Sequence, residues 1–239
     1  MEFIGFDPSL REFLHTIKEK NSREWYNSHK EQCKELVYKP FSLLIEDLSK
    51  VIYEIDSKIL TAPSKCISRI YRDARFSKDK TLYRENVWIN FKRATYDDMV
   101  LPSFYFEISR EGYSYGMGYY NPSPMIMSAF RKHISEEPHK FRAALKSMEK
   151  HPILHVEGEI YKKPKLSEIP SEFAAWGYYK SFYVTSGNGN INNSDICLTS
   201  ELTTELSEAF KALSLLYNFL IETPVPTKSD KLSGNDILL

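Results

Sequence analysis

The sequence has little cysteine, with three residues in 239. Cys33, Cys66 and Cys197 are far apart, and no two of them form the closely spaced pair that binds structural zinc. This scarcity excludes a disulfide framework and a cysteine-based zinc site. It is typical of a reducing compartment, so we predict a cytoplasmic protein.

Long apolar runs are also absent from the sequence. No uncharged apolar stretch approaches the roughly 18 residues that a membrane-spanning helix needs. The segment from Met1 to Pro8 lacks the basic and then apolar regions of a signal peptide. We therefore predict a soluble protein with no membrane partner.

An excess of charge of either sign is missing as well. Lys plus Arg and Asp plus Glu each number 32, so the formal net charge is zero. This balance disfavours a protein coated in positive charge for nonspecific binding to DNA or membranes. Hydrophobic residues, at 42%, and aromatic residues, at 14%, are sufficient for a packed core. Any recognition of anions has to be local.

Hydrophobic periodicity predicts the fold class. The spacing is helical towards both ends of the chain, as in a last long helix from about Ser200 to Ile221. Between Cys66 and about Tyr120 the period is two, which is typical of antiparallel strands with one buried face, and Gly112 lies in a turn between two of them. We predict a single α+β domain over residues 1–222, a mostly antiparallel sheet flanked by helices, with a flexible tail at 223–239.

Two local predictions affect the site. A start that resembles a capping box, with Asn21 and Glu24, begins a second helix, which Pro40 interrupts, and Pro40 then forms the first turn of a third helix. Further on, Ile67 to Phe76 is predicted as a strand, followed by a loop from Ser77 to Tyr83.

The run from Arg69 to Arg84 is the most informative segment, with six cationic and two acidic side chains in sixteen residues. Such a local excess is self-repulsive unless an anion, an acidic side chain from elsewhere or water screens it. Arginine suits phosphate or carboxylate, and lysines of the loop could close over a ligand. On the predicted strand Arg72 lies on one face, and the other face holds Arg69, Tyr71, Asp73 and Arg75. We predict an anion-binding cluster made of Arg69, Arg72, Arg75, Lys78 and Lys80.

The same run also has a purely structural interpretation. Its arginines could form salt bridges with acidic residues of neighbouring strands such as Glu107, as half-buried arginine networks often do. The protein would then be an interaction or structural module, and loss of Arg72 or Arg75 would unfold it. Zero net charge disfavours a further alternative, nucleic-acid binding on stacking surfaces formed by Tyr71, Tyr83, Tyr119 and Tyr120.

Three segments resemble the signature blocks of a conserved-hypothetical family, domain of unknown function 2461. They are Asn21 to Lys30, Arg69 to Tyr83 with the block R-D-x-R-F-S-K-D-K, and Gly116 to Pro122. The resemblance spans roughly Leu10 to Ile221. It implies a single α+β domain and no established activity.

The resemblance also selects residues that would support the site, namely Asn21, Arg23, Trp25 and Tyr71. It selects His29 too, which would share a helix face with Trp25 and be either a hydrogen-bonded packing residue or a general base. The glycine pair Gly116 and Gly118 is better explained by a close approach of backbones than by a phosphate cradle.

The chemistry of the site stays open at this point. Candidates for a catalytic role are Asp73 and Asp79 as proton acceptors or cation ligands, His29 as a base and Tyr83 as a hydroxyl donor. No metal site is predicted, because no motif supports the set His151, His155, Glu157 and Glu159. A small anionic ligand is the predicted partner, while the cofactor, the reaction and the oligomeric state are left open by the sequence.

Overall fold

The period-two segments form a five-stranded sheet in the computed structural model, which describes residues 2–73, 75, 78–94, 100–165, 169–187 and 196–224. Its strands are β1 (Asn86–Phe91), β2 (Ser103–Ser109), β3 (Tyr113–Gly118), β4 (His155–Glu157) and β5 (Tyr183–Thr185). The order across the sheet is β1-β2-β3-β5-β4, and every neighbouring pair is antiparallel. The predicted hairpin around Gly112 is confirmed as β2 and β3. The predicted tail lies outside the described residues from position 225 onward.

Helices flank the sheet, and the predicted α+β class is confirmed. The described residues form α1 (Leu10–Lys20), α2 (Arg23–Ser28), α3 (Lys30–Cys33), α4 (Lys39–Ile55), α5 (Pro63–Cys66), α6 (Pro124–Glu136), α7 (Pro138–Met148) and α8 (Glu201–Glu222). A 3₁₀ helix spans Ser171–Tyr178. Within these ranges, no helix combines the length and the apolar character that crossing a membrane requires.

One face of the sheet is buried against α4 and α8. Along β1 and β2 buried residues alternate with half-buried ones, because successive side chains of a strand point to opposite faces. The ring centroid of Phe104 lies 5.1 Å from that of Phe210 on α8, and that of Phe106 lies 5.9 Å from that of Phe41 on α4. These contacts belong to one continuous apolar core.

The other face of the sheet is polar and partly accessible. Here β1 presents Trp88 and Asn90, and β2 presents Tyr105 and Glu107, all of them half-buried. A sheet with only one face in the core leaves such side chains within reach of a ligand. The open face of the sheet is therefore one wall of the candidate site.

Pro40 does not interrupt the helix that precedes it, contrary to the prediction. A π-helical turn, Lys34–Tyr38, joins α3 to α4, and Pro40 lies in the first turn of α4. The π turn shifts the hydrogen-bond register just before the proline, which lets the helix continue. The start of the second helix also differs, since the side chain of Ser22, not Asn21, caps α2 by accepting a hydrogen bond from the N–H of Trp25 at 3.2 Å.

The predicted strand from Ile67 to Phe76 does not form over its described residues. Ile67 makes a single antiparallel bridge to Ile89 of β1. At the next position one backbone bond remains, from the N–H of Ser68 to the carbonyl of Trp88 at 2.9 Å, but the N–H of Trp88 donates to the Oγ of Ser68 at 3.0 Å and not to its carbonyl. A side chain that takes a backbone donor in this way competes with the ladder, so the pairing with β1 ends there.

Candidate functional site

After leaving β1, the basic run folds back on itself as a hairpin. Tyr71 makes an antiparallel bridge to Tyr83, and the N–H of Arg84 donates to the carbonyl of Ile70 at 2.9 Å. We call residues 69–84 the cationic hairpin. Three of its positions, 74, 76 and 77, lie outside the described residues.

The base of the cationic hairpin is anchored in the core. Ile70 is 1% exposed and Tyr83 is 2% exposed. The ring of Tyr83 stacks on that of Tyr26 with centroids 5.1 Å apart, and the N–H of Ile70 donates to the hydroxyl of Tyr38 at 3.4 Å. Because alternate residues of an extended segment point to opposite sides, this anchoring turns the neighbouring charged residues outward.

A cavity of about 860 Å³ lies between the cationic hairpin, α5 and β1. Among the described residues that line it, seven are cationic and one is acidic. The acidic residue is Asp73, and the cationic residues are Lys65, Arg69, Arg72, Arg75, Lys80, Arg84 and Lys92. A concave site lined by one sign of charge attracts ions of the other sign.

Four of the five residues predicted to bind an anion line this cavity, namely Arg69, Arg72, Arg75 and Lys80. Lys78 is exposed and is not one of the lining residues. The predicted strand would have placed Arg72 on the opposite face from the other arginines. The hairpin brings them to one cavity because the backbone is not a regular strand there.

Three cationic lining residues were missed by the sequence prediction: Lys65, Arg84 and Lys92. Lys92 could have been found, because it follows Trp88 and Asn90 at the alternation that places them on one face of β1. Lys65 lies on the short helix α5, which no sequence pattern connected with the site.

Two arginines of the cavity are paired within the cationic hairpin. Arg75 holds Asp73 with two hydrogen bonds, Nε to Oδ1 at 2.8 Å and Nη2 to Oδ2 at 2.6 Å. Arg72 pairs with Asp79 and also donates to the hydroxyl of Thr81 at 2.9 Å. The Arg75 and Asp73 side chains are 77% and 56% exposed, so this pair lies on the surface.

Both paired carboxyl groups are held in the ionised form. Side-chain hydrogen bonds from Arg75 lower the pKa of Asp73 to about 2. The backbone N–H of Thr81, followed by Arg72, lowers the pKa of Asp79 to about 2. A carboxylate with so low a pKa is a weak base at neutral pH, which favours a role in positioning the arginines over the predicted role as proton acceptor.

Four other cations of the cavity are not neutralised by acidic residues of the described part of the chain. Lys65, Arg69 and Lys92 form no ion pair with a described carboxylate, and neither does Arg84. The guanidinium carbon of Arg84 lies 4.7 Å from the centroid of a ring of Trp88. Its Nε is buried and has no hydrogen-bond partner among the described residues.

Two of the predicted supporting residues hold the cationic hairpin from the side of α1 and α2. The side-chain oxygen of Asn21 accepts a hydrogen bond from the N–H of Leu82 at 2.5 Å. Arg23 donates from Nη2 to the hydroxyl of Tyr71 at 3.4 Å. These bonds tie both strands of the hairpin to the helical layer.

The other predicted residues of the second helix lie away from the cavity. Trp25 and His29 stack with ring centroids 4.0 Å apart, and the Nδ1 of His29 hydrogen-bonds with the carbonyl of Trp25 at 2.8 Å. His29 is not among the residues that line the cavity.

Tyr83 of the cationic hairpin lines a neighbouring cavity of about 500 Å³. The structure thus brings neither His29 nor Tyr83 into the cationic cavity, whereas Asp73, another candidate, lines it.

The glycine pair has the role that the sequence predicted for it. A Cβ atom on Gly116 would lie 1.9 Å from the carbonyl oxygen of Val184, and one on Gly118 would lie 2.7 Å from the Cα of Tyr183. Both contacts are with β5, which pairs with β3 at these positions. The glycines allow two backbones to approach closely.

Comparison with known proteins adds one decisive match. A family model described as conserved hypothetical protein, DUF2461, matches residues 9–219. The chain belongs to this family. In this DUF2461 protein the matched range includes every residue described above as lining the cationic cavity. No curated protein matches the chain.

Proposed function

We propose that the protein binds a small anionic ligand, through a phosphate or carboxylate group, in the cavity beside the cationic hairpin. The observation that supports this function is the charge of the cavity wall, where seven cationic side chains accompany one carboxylate among the described residues. Asp79, which pairs with Arg72, does not change the sign of this excess.

The size and the donors of the cavity suit such a ligand. Its volume of about 860 Å³ falls within the range of small-molecule sites, roughly 300 to 1,000 Å³. Arg69 and Arg84 offer planar groups of N–H donors that match two oxygens of a phosphate or carboxylate, while Lys65 and Lys92 add mobile point charges. None of these four depends on an internal carboxylate within the described residues.

A purely structural role explains the cavity less well. It requires the arginines to be buried and paired, because only then does their loss expose an uncompensated charge in the interior. The pair of Arg75 and Asp73 is instead mostly exposed, and exposed ion pairs contribute little to stability. In the pair of Arg72 and Asp79 the arginine is more buried, but its carboxylate partner is 49% exposed. The internal pairs therefore explain the orientation of two arginines but not the presence of Lys65, Arg69 and Lys92, which form no ion pair with a described carboxylate.

We also propose that the protein is located in the cytoplasm, and its cysteines support this location. Cys33, Cys66 and Cys197 are all free and buried. Burial raises the pKa of Cys33 and of Cys66 to about 11, so both thiols stay protonated and unreactive at neutral pH.

Thermal unfolding at constant ionic strength tests the anion site. Phosphate, pyrophosphate and a dicarboxylate are each compared with chloride, for the unchanged protein and for the variants Arg69→Ala and Lys50→Ala. Arg69 is exposed at the cavity, and Lys50 is an exposed cation of α4 outside it, so both variants lose one positive charge. At a concentration ten times Kd, a bound anion raises Tm by about 3 °C for a domain of this size.

We expect this shift to shrink in Arg69→Ala and to persist in Lys50→Ala. Equal shifts in both variants would place the bound anion elsewhere on the protein. No shift with any of the anions at millimolar concentration would contradict the proposed function.

A further inference from the structure

A second cavity, of about 560 Å³, lies on the open face of the sheet. Five aromatic side chains line it, together with asparagine, serine and glutamate residues of the neighbouring strands. The aromatic residues are Trp88, Tyr105, Tyr119, Tyr120 and Tyr183. We call this cavity the aromatic cleft.

The aromatic cleft and the cationic cavity share a wall. Arg84, Trp88 and Asn90 line both of them. A ligand with a charged group in the cationic cavity can therefore extend past the ring of Trp88 onto the sheet.

The rings of the aromatic cleft differ in what they can contact. The hydroxyl of Tyr119 donates to the carbonyl of Leu220, and the side chain is buried, so it forms part of the wall. Tyr120, the next residue, is 88% exposed, and Tyr183 is 39% exposed. The hydroxyl of Tyr183 donates to Glu157 at 2.8 Å, which holds the ring in place. Exposed aromatic rings gathered in a cleft are typical of a binding surface for a planar or ring-shaped group.

Two buried polar atoms of residues in the shared wall have no hydrogen-bond partner in the part of the chain that the structure describes. They are the Nε of Arg84, a donor, and the Oδ1 of Asn90, an acceptor, and both are buried. A ligand that satisfies both has to offer an acceptor to Arg84 and an N–H or O–H donor to Asn90. A fully ionised phosphate offers only acceptors, so the ligand needs a second polar group beyond its anion.

We propose that the ligand is a nucleoside phosphate. Its phosphate occupies the cationic cavity, its ribose hydroxyl or base amino group donates to Asn90, and its base stacks in the aromatic cleft. This inference rests on the proposed anion site and names the class of ligand for it. The same chemistry occurs in a free nucleotide and in one nucleotide of a single strand, and both stack bases on aromatic side chains.

Titration calorimetry with graded ligands tests the proposal on the full chain. The ligands are inorganic phosphate, ribose 5-phosphate, AMP, UMP and an octamer of adenylate ribonucleotides. The variants are Tyr120→Ala and Tyr183→Ala in the cleft, with Tyr53→Ala as control, because Tyr53 is a 67% exposed tyrosine of α4 outside the cleft.

We expect AMP or UMP to bind about tenfold more tightly than ribose 5-phosphate, a moderate value for a base stacked on an aromatic ring. Tyr120→Ala or Tyr183→Ala should remove this advantage without weakening the binding of phosphate, whereas Tyr53→Ala should change neither. An octamer that binds more tightly than the mononucleotides, with an affinity that falls steeply with salt, would identify a single strand as the source of the ligand. Equal or weaker binding of the octamer would identify a free nucleotide.

Two different failures can be distinguished. If phosphate and ribose 5-phosphate bind but the nucleotides bind no more tightly, or if neither tyrosine variant lowers their advantage, the anion site stands and the nucleoside ligand is wrong. If no phosphate compound binds, the proposed function fails and this inference fails with it.

Discussion

The side-chain oxygen of Asn21 accepts a hydrogen bond from the backbone N–H of Leu82, 2.5 Å away, across 61 positions of sequence. Asn21 ends helix α1 in the left-handed conformation, with a φ of 43°, while Leu82 belongs to the returning strand of the cationic hairpin. One residue thus ends a helix and fixes the position of the hairpin that borders the cavity.

Replacing Asn21 should affect both stability and anion binding. Asn21→Ala loses the acceptor for the N–H of Leu82 and places alanine, which tolerates the left-handed region less well than asparagine, at φ 43°, for a combined loss of about 2 kcal/mol in the free energy of unfolding. Urea unfolding measures this loss. The variant should also bind phosphate more weakly, because the hairpin is less firmly held.

Asn21→Asp and Asn21→Gly separate the two causes. Asp keeps an acceptor and tolerates the left-handed conformation, so Asn21→Asp should be the more stable of the two variants. Gly relieves the backbone strain but leaves the N–H of Leu82 without its partner. If Asn21→Asp proved no more stable than Asn21→Gly, the hydrogen bond would not contribute to anchoring the hairpin.

The cationic hairpin should make stability depend on pH in the acid range. The pKa values of Asp73 and Asp79 are lowered to about 2, against about 3.9 in an unfolded chain. A folded pKa below the unfolded one stabilises the protein above about pH 4, and this contribution is lost as the pH falls towards 2. We expect the double variant Asp73→Asn, Asp79→Asn to lose less stability than the unchanged protein between pH 4 and pH 2.

The measurement is the free energy of unfolding in urea at several pH values across that interval. Glu54→Gln is the matched control, since Glu54 is an exposed carboxylate of α4 that forms no ion pair with a described residue. Identical pH profiles for the double variant and the unchanged protein would show that the two arginine pairs do not form in solution.

Gly116 should tolerate no side chain. A Cβ atom there would lie 1.9 Å from the carbonyl oxygen of Val184, which is backbone and cannot turn aside. Gly116→Ala therefore has to push β3 and β5 apart, and we expect a loss of about 1 to 3 kcal/mol or more, as in other overpacked sites. Calorimetric Tm values measure the effect.

Ser103→Ala is the control for Gly116→Ala on the same open face of the sheet. Ser103 pairs with Gly118 across β2 and β3, and its substitution should shift Tm by less than about 2 °C. A Gly116→Ala variant as stable as Ser103→Ala would mean that β5 does not approach β3 as closely as described.

Parts of the fold followed from local patterns. Helix α8 and strands β1 and β2 could be predicted from the spacing of their apolar residues. In each of them the buried residues recur at the period of the helix or the strand. The strand predicted from Ile67 onward was wrong for a related reason. Its residues have the composition of a strand, but the hydroxyl of Ser68 replaces a ladder bond and the chain pairs with its own returning segment.

The amino-acid sequence by itself determined that this protein is an α+β domain and that its concentrated positive charge lies in one short run, because periodicity and charge are local properties of the chain. Only the tertiary structure decided which cations share a cavity. Lys65 on α5, Arg69 on the hairpin and Lys92 after β1 meet through pairings between distant segments, and the aromatic cleft beside them exists because one face of the sheet stays outside the core. Such juxtapositions depend on long-range packing, which no local pattern specifies.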